Sequence, residues 1–295
     1  AQLSAAALVL AAGTVSRNAD YASELSLWAT PAAAGARRYY NLQLEFVVSD
    51  GGVLVPPVLC VAASGSSPGS APESALDRAT QLIGAGRPAQ ALQILESLPI
   101  SVPVLNLLGV AQWLRGDLAA AAASWQDATQ GGGAVPLVNL GCAQLARGDT
   151  AAALMSMRAA VTAEPSLREA RFDLGTVLAM AGRFEEAEQH LRVARTAGDG
   201  SVDADNNLGA VLEATGGGDE ASTLYLDAAS HGHPTAALNA TLWLVRSRQY
   251  RKAAPHLDAF LEETPESVRG LNARGIVRYF EGDLGAAATD LQNAV

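Results

Sequence analysis

The feature that most constrains the fold of this 295-residue chain is a small residue that recurs beside leucine at a nearly constant interval. Segments such as "NLLGVAQ", "NLGCAQ", "DLGTVL" and "NLGAVL" carry it, and successive copies lie 32 or 34 residues apart. The copies are Gly109, Gly141, Gly175, Gly209, Thr241 and Gly275. A glycine inside a helix costs about 1 kcal/mol relative to alanine. Its recurrence in one register therefore predicts places where two helices pack closely.

Two further residue types keep the same register. Seven residues after each small residue comes a turn glycine, at Gly116, Gly148, Gly182, Gly216 and Gly282, with Arg248 in the sixth unit. Five residues later comes an alanine, at Ala121, Ala153, Ala187, Ala221, Ala253 and Ala287. An earlier segment with Gly86 and Ala91 fits this pattern, so seven units cover residues 72 to 295. Each unit predicts a helix, a tight turn and a second helix.

These units resemble tetratricopeptide repeats, whose period of about 34 residues encodes two helices and the turn between them. The resemblance implies a mainly α fold, a right-handed α-solenoid of helix hairpins over residues 75–295. It places Gly141 and Ala153 where the helix backbones come closest. Large residues four positions after each alanine fill the adjacent space, at Trp125, Met157, Leu191, Tyr225 and Leu257.

Other residues of the repeat predict how its second helix begins. Asp117, Asp149 and Asp283 directly follow their turn glycines, so we expect them to be N-caps. The sixth unit departs most from the pattern, with Thr241, Arg248 and Pro255, and we expect a local distortion there.

The first 70 residues have a different pattern. The segment "YYNLQLEFVVSD", residues 39–50, alternates apolar and polar residues as a half-buried strand does. Gly51-Gly52 suits a hairpin turn, and Pro56-Pro57 confines the following apolar segment to an edge or a bulge. We therefore predict a small β-rich domain over residues 1–63. Residues 64–74, "SGSSPGSAPES", have the composition of a flexible linker.

Charge and hydropathy argue against some classes of binding partner. The formal net charge is −10 and the sequence pI is about 4.9, which argues against nucleic acid and anionic membranes as partners. No apolar run approaches the roughly 20 residues that span a bilayer, so we expect no membrane insertion. The chain starts at Ala1, without an initiator methionine. If that is a processed end, a location outside the cell or in the cell envelope is favoured over the cytoplasm.

Residues capable of catalysis or metal binding are sparse. Cys60 and Cys142 fall in different predicted domains without metal-ligand spacing, and we expect buried free thiols. His231 and His233 lie close together in "SHGHP", but a zinc site needs three or four ligands, so we expect an exposed turn. No hydrolase, phosphate-loop or dinucleotide motif occurs. The sequence therefore predicts no enzyme, no metal and no cofactor.

The resemblance also implies a binding surface. Arrays of this family use a concave face, formed by the first helix of each unit, to hold a peptide or partner protein. Positions three before, one after and four after the small residue line it. The residues predicted to form this groove are Asn106, Val110, Trp113, Val138, Cys142, Leu145, Phe172, Thr176, Asn206, Leu238, Leu242, Asn272, Ile276 and Tyr279.

This predicted groove is apolar and carries no cation. Family members that clamp a C-terminal carboxylate need charged donors, so the composition favours an apolar strand or helix as ligand. We expect Trp113, Leu145 and Phe172 to be exposed if they contact such a ligand. The alternative is that packing within the array buries these side chains.

Two functions fit these observations. The first is a protein–protein interaction scaffold that uses the groove. The second is a structural subunit that assembles with copies of itself into a head-to-tail filament or ring. For the second we expect the joining residues to be Leu8, Val9 and Leu10 at one end and Leu284, Ala288 and Leu291 at the other. An enzyme ranks third, because no catalytic constellation is present.

Overall fold

The structure of the chain, a computed structural model, describes residues 46–47, 53–54, 59–60, 74–196 and 202–294. Within these residues it contains two short strands and fourteen helices, so the mainly α prediction is confirmed. The strands are β1 (Phe46–Val47) and β2 (Val53–Leu54). The first seven helices are α1 (Ala75–Gly84), α2 (Pro88–Leu95), α3 (Val102–Leu114), α4 (Leu118–Thr129), α5 (Ala134–Ala146), α6 (Thr150–Ala163) and α7 (Arg168–Met180). The others are α8 (Phe184–Thr196), α9 (Val202–Ala214), α10 (Gly218–Ser230), α11 (Pro234–Arg246), α12 (Tyr250–Glu263), α13 (Val268–Glu281) and α14 (Leu284–Asn293).

The described residues divide into two compact units. The N-terminal unit holds residues 59–60 and helices α1 to α7, and the C-terminal unit holds β1, β2 and helices α8 to α14. The odd-numbered helices, which begin each repeat, are called A helices, and the even-numbered ones B helices. Within each unit the A helices pack against B helices of the same unit and against neighbouring A helices. We call the surface where neighbouring A helices meet the A-helix face.

Four of the recurring glycines lie at helix contacts, as predicted: Gly109, Gly141, Gly209 and Gly275. A Cβ atom at Gly141 would lie 2.9 Å from Met157 Cγ, and one at Gly109 would lie 2.5 Å from Trp125 Cε2. Both distances are shorter than van der Waals contact, so a side chain at either position would displace its neighbour. The five predicted space-filling residues of the B helices are all fully buried.

Helix capping and turn geometry follow the repeat. The side chains of Asp117, Asp149 and Asp283 each accept a hydrogen bond from a backbone N–H three residues later, at 2.9 to 3.0 Å, which confirms them as N-caps. Arg248 has φ 58°, the left-handed conformation that Gly148 has in the equivalent turn with φ 79°. The turn of the sixth repeat therefore keeps the conformation of the equivalent turn, and α12 continues as a helix through Pro255, so the expected local distortion is not found at either residue.

The β-rich N-terminal domain predicted over residues 1–63 is not supported by the residues that the structure describes. Strands β1 and β2 are antiparallel, with Phe46 opposite Leu54 and Val47 opposite Val53. Strand β2 lies against helices α9 and α11 of the C-terminal unit, whereas Leu59 and Cys60 belong to the N-terminal unit. The described segments thus pack on helices. The rest of the predicted domain and linker residues 64–73 lie outside the described residues.

Across residues 74–196 and 202–294, no helix combines the length and the apolar composition that crossing a bilayer requires.

Candidate functional site

Two asparagines of the N-terminal unit hold the backbone of Cys60 on the A-helix face. Asn139 on α5 accepts a hydrogen bond from the backbone N–H of Cys60 through Oδ1, at 2.7 Å. Its Nδ2 donates to the carbonyl oxygen of Cys60 at 2.9 Å and to Oδ1 of Asn106 on α3 at 2.8 Å. The carboxamide of Asn139 therefore binds both polar groups of one residue, as a neighbouring strand would.

These polar groups are deeply buried, and each bond satisfies an atom that water does not reach. Asn139 is fully buried, Asn106 nearly so, and Leu59 and Cys60 are only 2% and 8% exposed. Trp125 Nε1 donates to the backbone carbonyl of Asn106 at 3.1 Å, which ties the B helix α4 to the A helix that carries Asn106. A buried polar group without a partner costs about 1–3 kcal/mol, so this network stabilises the binding of residues 59–60 to the A helices.

The same arrangement of asparagines recurs in the C-terminal unit. Asn239 Nδ2 on α11 donates to Asn206 Oδ1 on α9 at 2.8 Å. These two residues are 33 positions apart, as are Asn106 and Asn139. We call each combination, Asn106 with Asn139 and Asn206 with Asn239, an amide pair. The two helices that carry the second amide pair are those on which β2 lies.

A further asparagine lies on the next A helix of the C-terminal unit. Asn272 on α13 is 7% exposed, and among the described residues neither its Nδ2 nor its Oδ1 has a hydrogen-bond partner. It follows Asn239 by another 33 positions. Its buried carboxamide therefore keeps both a donor and an acceptor for a group that contains the two complementary atoms.

Both cysteines lie in the N-terminal unit, although the sequence placed them in different domains. Both are buried thiols, as expected. Burial raises the pKa of both thiols well above the usual range, and the negative charge of Asp173 raises each pKa further. Cys142 Sγ donates to Asp173 Oδ2 at 3.8 Å. These thiols therefore stay protonated at neutral pH and are poor nucleophiles.

The two histidines of "SHGHP" have local structural roles. His233 caps α11, since its Nδ1 accepts from the backbone N–H of Ala236 at 3.1 Å, and its Nε2 lies 2.8 Å from Asp203 Oδ1. His231 is exposed, as expected of a turn, and its Nδ1 lies 2.8 Å from the carbonyl of Asp227. Within the described residues there is no group of three or more side chains suited to a metal ion.

Most residues of the predicted groove are buried in the chain itself. Leu242, Ile276 and Tyr279 are half-buried, and the other eleven are buried. The expected exposure of Trp113, Leu145 and Phe172 is wrong, because these side chains are only 5%, 4% and 4% exposed. Trp113 packs against Trp125 of the next helix, with ring centroids 5.8 Å apart. Contact of these fourteen residues with a partner stays a prediction.

Sequence reasoning missed one residue of each amide pair, Asn139 and Asn239, which are not among the predicted groove residues. Asn106 and Asn206 are in the predicted groove, but Asn139 and Asn239 lie one position closer to their small residue. A signal was present, because "NLG", "DLG", "NLG" and "LNAT" all place Asn or Asp two residues before that position. Asparagine and aspartate are weak helix formers, so their recurrence inside A helices indicates a role beyond the helix itself.

The residues predicted for self-association are only partly accessible. In α14, Leu284 is 46% exposed and Ala288 is exposed, but Leu291 is buried. The availability of Leu291 as a joining residue was wrongly predicted, since its Cγ lies where a Cβ at Gly275 would come within 2.7 Å. Leu8, Val9 and Leu10 lie outside the described residues.

Comparison with known proteins agrees with this geometry. The tetratricopeptide repeat family model matches residues 76–135, 138–202 and 242–295. A tetratricopeptide repeat protein from Parabacteroides merdae is 18% identical, with a TM-score of 0.58 over 75% of this chain and 90% of that one. The pilF protein of Pseudomonas aeruginosa is 18% identical, with a TM-score of 0.57 over 72% and 90%.

A third similar structure is the APC/C hetero-tetramer Cut9–Hcn1, at 13% identity and a TM-score of 0.63, over 74% of this chain and 45% of that one. At these identities the likeness shows the fold, a solenoid of helix pairs, and not the function. No curated protein matches the chain in sequence.

Proposed function

Because the chain belongs to the tetratricopeptide repeat family, we propose that it is a non-enzymatic scaffold whose A-helix face holds an extended segment of a partner protein. The observation that carries this proposal is the contact of Asn139 with both backbone groups of Cys60. A carboxamide that binds a donor and an acceptor of the same residue recognises chain direction and extension. It does not recognise a particular side chain.

The surroundings of this contact define the partner chemistry. None of the fourteen predicted groove residues is basic, and the side chain of Leu59 is almost completely buried. A charged side chain buried at that point would lose most of its hydration. The proposed partner segment is therefore extended and apolar, with a small residue at the position of Cys60, and a terminal carboxylate is not required.

The contribution of Asn139 can be estimated from its two bonds to the segment. A neutral hydrogen bond contributes about 0.5–1.5 kcal/mol net, so two contribute about 1–3 kcal/mol. Each 1.4 kcal/mol is a factor of ten in affinity. Loss of the carboxamide should therefore weaken peptide binding by roughly 5- to 150-fold.

The test measures binding of a fluorescein-labelled peptide of residues 53–63, VLVPPVLCVAA, by fluorescence anisotropy. The receptor is the full chain with Leu59→Asp, which places a carboxylate at a buried site and so frees the face. Adding Asn139→Ala should weaken binding by about tenfold. Asn139→Leu, which keeps the volume, should do the same if the alanine variant unfolds. Asn293→Ala, at an exposed position of α14, is the control. Equal affinity of all four chains would refute the proposal.

Self-assembly is a second proposal, supported by a different observation. The exposed large apolar side chains of the C-terminal unit include Phe280, at the end of α13, and Leu284, at the start of α14. Exposed apolar side chains that lie close together often mark an interaction surface. If they join copies, the wild-type chain should form higher-order species in light scattering and Leu284→Asp should be monomeric. A monomeric wild-type chain at high concentration would exclude this function.

A further inference from the structure

We propose that the chain's own segment around Leu59 and Cys60 is the resident ligand of the A-helix face, so that a partner binds by displacing it. The inference rests on the proposed function, because it names what occupies the proposed binding site before a partner arrives. In this state, which we call self-closed, the chain's own residues 59–60 occupy the A-helix face and compete with the partner segment for it.

The first support is the completeness of the contact in the N-terminal unit. Both backbone groups of Cys60 are used by Asn139, and Asn106 Nδ2 lies 3.5 Å from the same carbonyl. Cys60 is 79 residues from Asn139 in sequence, so forming this contact closes a long loop. A segment that is held through its backbone and buried at both described side chains has the features of a bound peptide.

The second support comes independently from the C-terminal unit. There β2 lies on α9 and α11, the two helices joined by the amide pair Asn206 and Asn239. In each unit, therefore, an amide pair bridges two A helices, and a piece of the residues before α1 lies on those same helices. The asparagines of each amide pair are 33 positions apart in both units, and in both units a piece of the residues before α1 lies on the helices that carry the pair.

The consequence for a partner follows from competition within one chain. A tethered ligand has an effective concentration in the millimolar range when its linker is short and flexible. The apparent dissociation constant of a partner is its intrinsic value divided by the fraction of molecules with a free face. If the segment is docked in about 99% of molecules, partner binding is weakened about 100-fold. Any change that releases the segment would therefore switch the scaffold on.

The test of occupancy uses Cys60 as a reporter in the full chain. With Cys142→Ala, only Cys60 can react with iodoacetamide, and with Cys60→Ala only Cys142 can. We expect Cys60 to react at least 100-fold more slowly than the same thiol in a free peptide. Leu59→Asp and Asn139→Leu should each raise its rate at least tenfold without loss of helical circular dichroism. Reaction of Cys60 at the free-peptide rate in the otherwise wild-type chain would overturn the inference.

Dilution distinguishes the chain's own segment from that of a second copy. Protection of Cys60 in cis should be independent of protein concentration, whereas a segment exchanged between copies should become reactive on dilution. The latter outcome would overturn the inference in favour of segment exchange.

Peptide binding separates failure of the inference from failure of the proposed function. The labelled peptide of residues 53–63 should bind the Leu59→Asp chain at least tenfold more tightly than the wild-type chain. Equal binding to both would overturn self-closure and leave the proposed function intact. Absence of binding to Leu59→Asp, in a chain whose circular dichroism is unchanged, would refute the proposed function itself.

Discussion

Substituting Gly109 by alanine is expected to destabilise the chain through one identifiable clash. The new Cβ would lie 2.5 Å from Trp125 Cε2 and 2.7 Å from Cδ1, well inside van der Waals contact. The indole cannot turn away freely, because it is fully buried and its Nε1 donates to the carbonyl of Asn106. The substitution therefore either moves the ring and stretches that hydrogen bond or pushes α3 away from α4.

The magnitude follows from three contributions. Overpacking by an added methyl group costs about 1–3 kcal/mol. Leaving the indole N–H buried without its acceptor costs about 1–3 kcal/mol more. Alanine gains about 1 kcal/mol over glycine in helix propensity. The net loss of unfolding free energy for Gly109→Ala is therefore about 1–5 kcal/mol, with a central value near 3 kcal/mol.

Two matched glycines give graded controls. At Gly141 the new Cβ would meet Met157 Cγ at 2.9 Å and Cε at 3.1 Å, and methionine is flexible enough to move. Gly141→Ala should therefore cost no more than about 1 kcal/mol. At Gly285 in α14 the nearest atom would be Asp283 Oδ1 at 3.8 Å, so Gly285→Ala should stabilise the chain by up to about 1 kcal/mol.

Urea unfolding followed by far-ultraviolet circular dichroism measures all three variants. The expected order of unfolding free energy is Gly285→Ala, then Gly141→Ala, then Gly109→Ala, at an unchanged m value. A chain with Gly109→Ala as stable as the parent, or more stable than one with Gly141→Ala, would refute the argument that the recurring glycine marks a backbone contact with the B helix.

Three further predictions concern single residues. Arg248→Gly should raise stability by up to about 1 kcal/mol in urea unfolding, because φ 58° strains a non-glycine residue, and Gly148→Arg should lower it similarly. Asn272→Leu should raise the urea midpoint by the equivalent of about 1–2 kcal/mol, because it removes a buried carboxamide that lacks a partner among the described residues. Since burial raises the pKa of Cys60 and Cys142, both thiols should resist alkylation at pH 8 until urea unfolds the chain.

The repeat register was predictable because packing between helices leaves a periodic mark on the sequence. Gly141 needs a missing side chain, Met157 fills the adjacent space, and Asp149 caps the following helix. Each requirement concerns residues within a single repeat and recurs about every 34 positions. A pattern repeated over seven repeats is much less ambiguous than one motif, so the spacing, together with the family resemblance that it carries, predicted the helix pairs of residues 74–196 and 202–294.

The candidate site was less predictable because its chemistry is that of neutral amides. None of the predicted groove residues is basic, so the sequence favoured apolar contacts with a partner. The carboxamide of Asn139 instead recognises the backbone, which every segment has, and so its ligand leaves no side-chain complement to search for. The choice of positions also excluded Asn139 and Asn239, although the A helices place them beside Asn106 and Asn206.

No local sequence pattern indicated which helices Leu59 and Cys60 would contact. Alternating apolar residues correctly predicted extended chain near Phe46, and an extended segment must satisfy its backbone groups with some partner. The β-rich domain predicted over residues 1–63 would supply that partner from other strands. The structure assigns it, for Cys60, to a side chain 79 positions away. Periodicity reports which face of an element is buried, but not which distant segment covers that face.

Asn139 and Asn272 together show why an occupant matters to this surface. Both are buried carboxamides on A helices, yet Asn139 is satisfied by the backbone of Cys60, while Asn272 has no partner among the described residues. Displacing the segment would leave Asn139 in the condition of Asn272, at a cost of about 1–3 kcal/mol unless water or a new backbone replaces it. An extended partner restores both hydrogen bonds, whereas a compact or helical one does not, because its backbone groups already bond to one another. The amide pair therefore favours an extended partner, because without one its carboxamide would be buried without hydrogen-bond partners.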